Sequence, residues 1–212
     1  MDSAECVERT WRKWATDHQL DPERVIAVAH GRRSLETVRM VAPQLSAEAE
    51  LATLAASEST TSEGIYEIEG ARELLDRLPA ERWAVVTSGI RAVAEFRLRY
   101  ARLPVPPVMI CADEITRGKP DPEGYLTAAS RLGYSPDDCL VIEDAPAGIE
   151  SARAAGMRVI AITTTFGRES LVGADAVIER LTDLTVVLNR DQIQIGIPAG
   201  CDSSASIDEG CD

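Results

Sequence analysis

Residues 139–162, CLVIEDAPAGIESARAAGMRVIAI, decide the reading of the whole chain. Cys139 to Ile142 is a short apolar run that ends on two adjacent carboxylates, Glu143 and Asp144. A helix is predicted over Ala147 to Ala155, closed by Gly156, a residue suited to a helix stop. Arg158 to Ile162 is a second apolar run. Two apolar runs joined by one helix predict a βαβ unit, which requires parallel strands.

The same alternation extends in both directions. Upstream, Trp83 to Thr87 is an apolar run ending in Thr87-Ser88-Gly89. Ile90 to Arg102 then reads as a helix, with Val93, Phe96 and Tyr100 on one face and Pro104 beyond its end. Val108 to Cys111 is the next run. Asp121 is placed to cap a further helix, Pro122 suits its first position, and Tyr125, Ala129 and Leu132 share a stripe before Gly133. Downstream, Ala176 to Ile178 is a fifth run. The expected fold is α/β, a doubly wound parallel sheet. Right-handed crossovers place the strand ends on one edge, where ligands bind in open sheets of this kind. Three polar clusters follow strands there: Thr87-Ser88-Gly89, Glu114 to Lys119, and Glu143-Asp144.

The region before Trp83 differs. Glu5 to Leu78 is rich in Ala, Glu, Arg and Leu, without a β-like run. Val7, Trp11 and Trp14 have helical spacing, as do Leu35, Val38 and Val41, and Pro22, Gly31, Pro43 and Gly64 punctuate the stretch. A small helical domain is predicted. At the other end, Gln192 to Pro198 reads as a strand-like scrap, and Gly200 to Asp212 holds four acids and no bases, so the tail is expected to be disordered.

Composition narrows the partners. The 212 residues carry 22 Lys and Arg against 35 Asp and Glu, a net charge of −13, which argues against nucleic acid or anionic lipid as partner. It also obliges any phosphate site to supply its own local positive charge. The five cysteines form no CxxC pair and the two histidines exclude a multi-histidine metal centre. No stretch is long and apolar enough to cross a bilayer, and the N-terminus lacks the form of a signal peptide, so a cytoplasmic protein is expected. Oligomeric state leaves no signal in the sequence.

Each polar cluster has an ordinary reading and a chemical one. Adjacent carboxylates at a strand end are unfavourable without a cation, and hard oxygen donors suit Mg²⁺, yet one could cap a helix and the other be solvated. Lys119, between Gly118 and Pro120-Asp121-Pro122, sits in a stiff turn able to aim one ammonium at an anion, or is a surface lysine. Thr87 and Ser88 with the Gly89 N–H form either an anion site or a plain cap. Arg32 and Arg33, beside His30, could bind a sugar hydroxyl or phosphate oxygen, or be a solvated pair. Trp11 and Trp14 read as a sugar platform or, better, as packing between helices.

The order of these clusters resembles the second, third and fourth motifs of the haloacid dehalogenase superfamily, over roughly Met1 to Leu188. TSG, RGKPDPEGY and VIEDAPAGIESARAAGM are similar to its phosphatase branch with a helical cap, and HGRRSLETV to small sugar-phosphate and polyol-phosphate phosphatases of the 2-deoxyglucose-6-phosphatase and glycerol-phosphatase type. The resemblance implies phosphoryl transfer to an aspartate, with a second aspartate as acid and base. Lys119, Thr87 and Ser88 would be catalytic, Gly89, Arg32 and Arg33 would bind substrate, and Glu143 and Asp144 would hold Mg²⁺. The substrate would be a small phosphorylated sugar or polyol. The family's first motif, DxDGT, with both aspartates, does not occur in the 212 residues.

That departure implies that the first core strand, between the strands ending at Thr87 and Ile142, is missing, leaving backbone groups unpaired at about 1–3 kcal/mol for each one buried. A start upstream of Met1 is the expectation. The implied division is a linker over 1–13, a helical cap over 14–79, the core over 80–188 and an acidic tail over 189–212. Two alternatives stand beside the phosphatase: a noncatalytic phosphosugar-binding or regulatory protein, and a β-phosphoglucomutase-like isomerase.

Overall fold

The structure, a computed structural model, describes residues 1–189 and 192–198. Four helices come first: α1 (Ala4–Asp17), α2 (Pro22–Ala29), α3 (Ser34–Val41) and α4 (Ala47–Glu58). Local chemistry starts them as expected. Asp21 accepts from the Glu23 N–H with Pro22 at the first position of α2, and the Ser46 hydroxyl accepts from the Ala49 N–H at α4. Their apolar faces share a core of Trp11, Trp14, Val25, Val38 and Leu54. The two indoles pack edge to face at 5.3 Å, which favours packing over a sugar platform.

The remainder alternates strand and helix: α5 (Ala71–Arg77), β1 (Ala84–Val86), α6 (Arg91–Tyr100), β2 (Val108–Ile110), α7 (Glu123–Leu132), β3 (Leu140–Glu143), α8 (Pro146–Ala154), β4 (Arg158–Ile162), β5 (Ala176–Ile178), β6 (Thr185–Leu188) and β7 (Ile193–Gly196). β1 pairs with β2, and β3 with β4 and β4 with β5, all parallel. Alternation along β4 sends Val159 and Ala161 into a core with α7 and α8, and Ile160 and Ile162 into a core on the opposite face. Helices therefore cover both faces, as the doubly wound reading requires.

The sheet is split. Among the described residues no strand lies between β1 and β3, and their facing edges border one cavity of about 1460 Å³. All three residues of β1 are only half-buried, although they are apolar, whereas Val159–Ile162 of β4 and all of β5 are buried. On the other side of the slot β3 alternates, with Leu140 and Ile142 half-buried and Val141 and Glu143 buried.

Local structure is present at three of the expected boundaries. Within 1–13, Asp2 pairs with Tyr66, and α1 begins at Ala4 and carries Trp11 and Trp14 into the helical core. α5, assigned to the helical region, packs with the sheet through Ala71 and Leu74, because its apolar residues face β-strand side chains. Ile193–Gly196, inside the stretch read as strand-like, is β7, antiparallel to β6. The acidic stretch 200–212, with Cys201 and Cys211, lies outside the described residues.

Candidate functional site

Four connections leave the carboxyl edge of the sheet and meet above the slot. They follow β1 (Thr87-Ser88-Gly89), β2 (through Lys119), β3 (Asp144-Ala145) and β4 (through Thr165 and Phe166). Lys119 is the centre. Its ammonium pairs with Glu143 Oε1 and reaches the Val86 carbonyl at 3.4 Å, so one cation bridges the ends of β3 and β1 across the split. The Tyr125 ring lies beneath it, 5.2 Å from centroid to Nζ.

Glu143 is 7% exposed and fully occupied. Oε1 accepts from Lys119 and from the Tyr125 hydroxyl at 2.8 Å; Oε2 accepts from the Asp144 N–H at 2.9 Å and the Ala145 N–H at 3.1 Å. Burial pushes this carboxyl up, but the Lys119 ammonium and the hydrogen bonds outweigh it and hold Glu143 below the ordinary glutamate range. The Tyr125 phenol is driven well above its ordinary value by burial and by Glu143. Asp144 behaves oppositely. Burial first, and the neighbouring Glu143 charge second, raise its carboxyl, although the Thr165 hydroxyl donates to Oδ2 at 2.5 Å.

This separates the pair read as a metal site. Glu143 has no oxygen to spare and is the counterion of Lys119. Asp144 has Oδ1 without a hydrogen bond from any described residue, and its side chain lines the cavity. No cluster of three metal-ligating side chains exists among the described residues. A single carboxylate with water and substrate oxygens completing the shell is an ordinary arrangement for Mg²⁺, so Asp144 fits the ion and Glu143 does not.

The other candidates divide in the same way. Thr87 Oγ1 accepts from the Gly89 N–H at 3.1 Å, which spends the Gly89 donor but leaves the Thr87 O–H available. Ser88 donates to the Gly31 carbonyl at 2.8 Å, tying the β1 connection to the helical unit. Ser88 and Gly89 border the cavity, with the Ser88 hydroxyl and the Gly89 N–H engaged within the protein. The Arg33 guanidinium is buried on protein partners, Glu36 and the carbonyls of Ile115 and Thr116, and it does not line the cavity. Arg32 does line the cavity; its backbone N–H donates to the Ala29 carbonyl at 3.2 Å, and its guanidinium makes no hydrogen bond or ion pair with a described residue.

Two participants escaped sequence reading. Tyr125 was assigned only to a packing stripe, and its buried hydroxyl, which needs a partner, was the available signal. Thr165 follows β4 at the ligand edge, the position that flagged the other three clusters. His30, beside the cavity, stands edge to face with Phe166 at 5.8 Å.

Known proteins agree with this architecture. The family model described as haloacid dehalogenase-like hydrolase matches residues 1–162. The chain is 41% identical over 191 residues to hexitol phosphatase A of Escherichia coli strain K12, covering 88% of both. It is 34% identical over 206 residues to glycerol-1-phosphate phosphohydrolase 2 of Saccharomyces cerevisiae, covering 92% of this chain and 80% of that one. A crystal structure of a hydrolase from Pseudomonas syringae superposes with a TM-score of 0.73 at 24% identity, covering 85% of this chain and 89% of that one, a likeness of fold.

Proposed function

This chain belongs to the haloacid dehalogenase-like hydrolase family, and from that premise we propose that it is a phosphoric monoester hydrolase acting on small sugar or polyol phosphates, with Mg²⁺ as cofactor. The observation that carries the reading is the placement of Lys119, buried against Glu143 at the meeting point of four strand ends, in a chain of net charge −13. An acidic protein repels a phosphorylated ligand everywhere except where a cation is held for it.

The residues divide the work. Lys119 holds a phosphate oxygen, and Glu143 keeps the ammonium oriented through a carboxylate that is itself locked by Tyr125 and two backbone N–H groups. Thr87 offers its O–H to a second oxygen. Asp144 would hold the Mg²⁺, which when bound neutralises charge on the phosphate. The helical unit acts as a cap, and Arg32 reads the sugar or polyol from it. The DxDGT motif that family resemblance calls for does not occur in the 212 residues.

A second reading, specific binding of a sugar phosphate without turnover, draws on the same anchored Lys119. One experiment addresses both: phosphate release from a hexitol phosphate, glycerol 1-phosphate and a hexose 6-phosphate, with and without Mg²⁺, beside calorimetric binding of the same compounds. Magnesium-dependent release supports the hydrolase. Saturable binding without release supports the binding protein, and neither binding nor release sinks both. Asp144→Asn should weaken the magnesium response in either assay.

A further inference from the structure

The buried guanidinium of Arg33 joins its own helical unit to the lysine connection, with two hydrogen bonds to each. Only a tenth of its side chain is exposed. Nη1 donates to the Ile115 carbonyl at 3.0 Å and Nη2 to the Thr116 carbonyl at 2.8 Å. Nε donates to Glu36 Oε1 at 2.9 Å, and the same oxygen accepts from the Gly118 N–H at 3.2 Å. The helical unit thus supplies two donors and one acceptor to the backbone immediately before Lys119. Two further N–H groups of that segment, those of Thr116 and Arg117, are taken by Glu123 of α7 at 2.7 and 3.0 Å.

Packing makes the same point. A Cβ on Gly118 would lie 2.6 Å from Arg33 Nε and 2.9 Å from its Cδ and Cγ, so only glycine lets the guanidinium settle there. Neighbouring residues of the helical unit anchor the same ground. Gly31 accepts from Ser88, and a Cβ on Gly31 would lie 2.9 Å from the Cβ of Ala145.

We propose that Arg33 and Glu36 are positioning residues: they tie the helical unit to the segment Ile115–Gly118, so that Lys119 is held at the ends of β1 and β3 only while that unit is seated. The phosphate consequence rests on the proposed function; the mechanical coupling does not. A guanidinium fork serves two carbonyls and a carboxylate at once, and an ammonium lacks that geometry. Unseating the unit would strand two carbonyls and the Gly118 N–H, and release the constraint on the lysine backbone.

The test uses the full chain and two readouts, amide hydrogen exchange and calorimetric binding of inorganic phosphate. In Arg33→Ala the amides of Thr116, Arg117 and Gly118 should exchange about tenfold faster while those of β4 keep their rates. Phosphate affinity should fall by about tenfold, with Arg33→Lys intermediate. A merely structural role would lower global protection without singling out 116–118. Should Arg33→Ala fail to fold, Glu36→Ala, at a partly exposed position, takes its place with the same expectations. Unchanged exchange at 116–118 in the folded variant overturns the coupling. Faster exchange in a protein whose wild type binds no phosphate upholds the coupling and counts against the proposed function.

Discussion

At the scale of single residues, Lys119 and Glu143 decide most of the site. Each is almost wholly removed from water, and each satisfies the other. Lys119→Ala leaves a buried carboxylate without its cation, and a loss of about 3–5 kcal/mol is expected, read by urea denaturation. Because Glu143 is held below its ordinary value in the folded protein, its contribution is full above the unfolded glutamate value near 4.5 and is lost as pH falls through the folded value. The stability gap between wild type and Lys119→Ala should therefore close on acidification across that window. A gap that stays constant would show that the ion pair is not its source.

Gly148 offers a second test at this scale. It lies in the first turn of α8, where a Cβ would overlap the Glu143 carboxylate. Helix propensity alone gives Gly148→Ala a gain of about 1 kcal/mol. The overlap should reverse the sign, to a cost of about 1–3 kcal/mol, with weaker phosphate binding. Stabilisation would mean that Glu143 moves aside freely.

At the scale of elements, the contact between α4 and α6 is unusual. Glu58 ends α4, Arg97 lies in α6, and the two form a buried pair at 3.3 Å while Arg97 Nε has no partner among the described residues. Burial raises the Glu58 carboxyl, and Arg97 offsets only part of that rise. The folded protein then holds the Glu58 proton more tightly than the unfolded chain, so this group's contribution falls as pH rises from about 4.5 through the folded value. Glu58→Gln should remove that slope. Denaturation curves across the window should show wild type losing stability relative to the variant, and parallel curves would refute the assignment.

At the scale of the molecule, the split sheet is the dominant feature. β4 is paired on both sides, whereas β1 and β3 each present one edge to the cavity. Amides of β4 should exchange slowest, and those of β1 and β3 directed at the slot faster by orders of magnitude. Uniform protection across the strands would show the slot to be closed in solution. Lys119 stitches this gap at one end, which gives it a structural duty beside its proposed chemical one.

The order of strands and helices, and the convergence of three polar clusters on one sheet edge, were legible in the sequence alone. Apolar periodicity is local, and crossover handedness then leaves one arrangement for the strand ends. Tertiary structure alone decided which donors and acceptors on that edge were already spent. Arg33 and Arg32 are adjacent and chemically alike, yet one is consumed by carbonyls 82 and 83 residues away and the other faces the cavity. Glu143 and Asp144 divide likewise into a lysine counterion and a candidate metal ligand. Hydrogen-bond satisfaction is settled between segments distant in the chain, and no local pattern of residues encodes it.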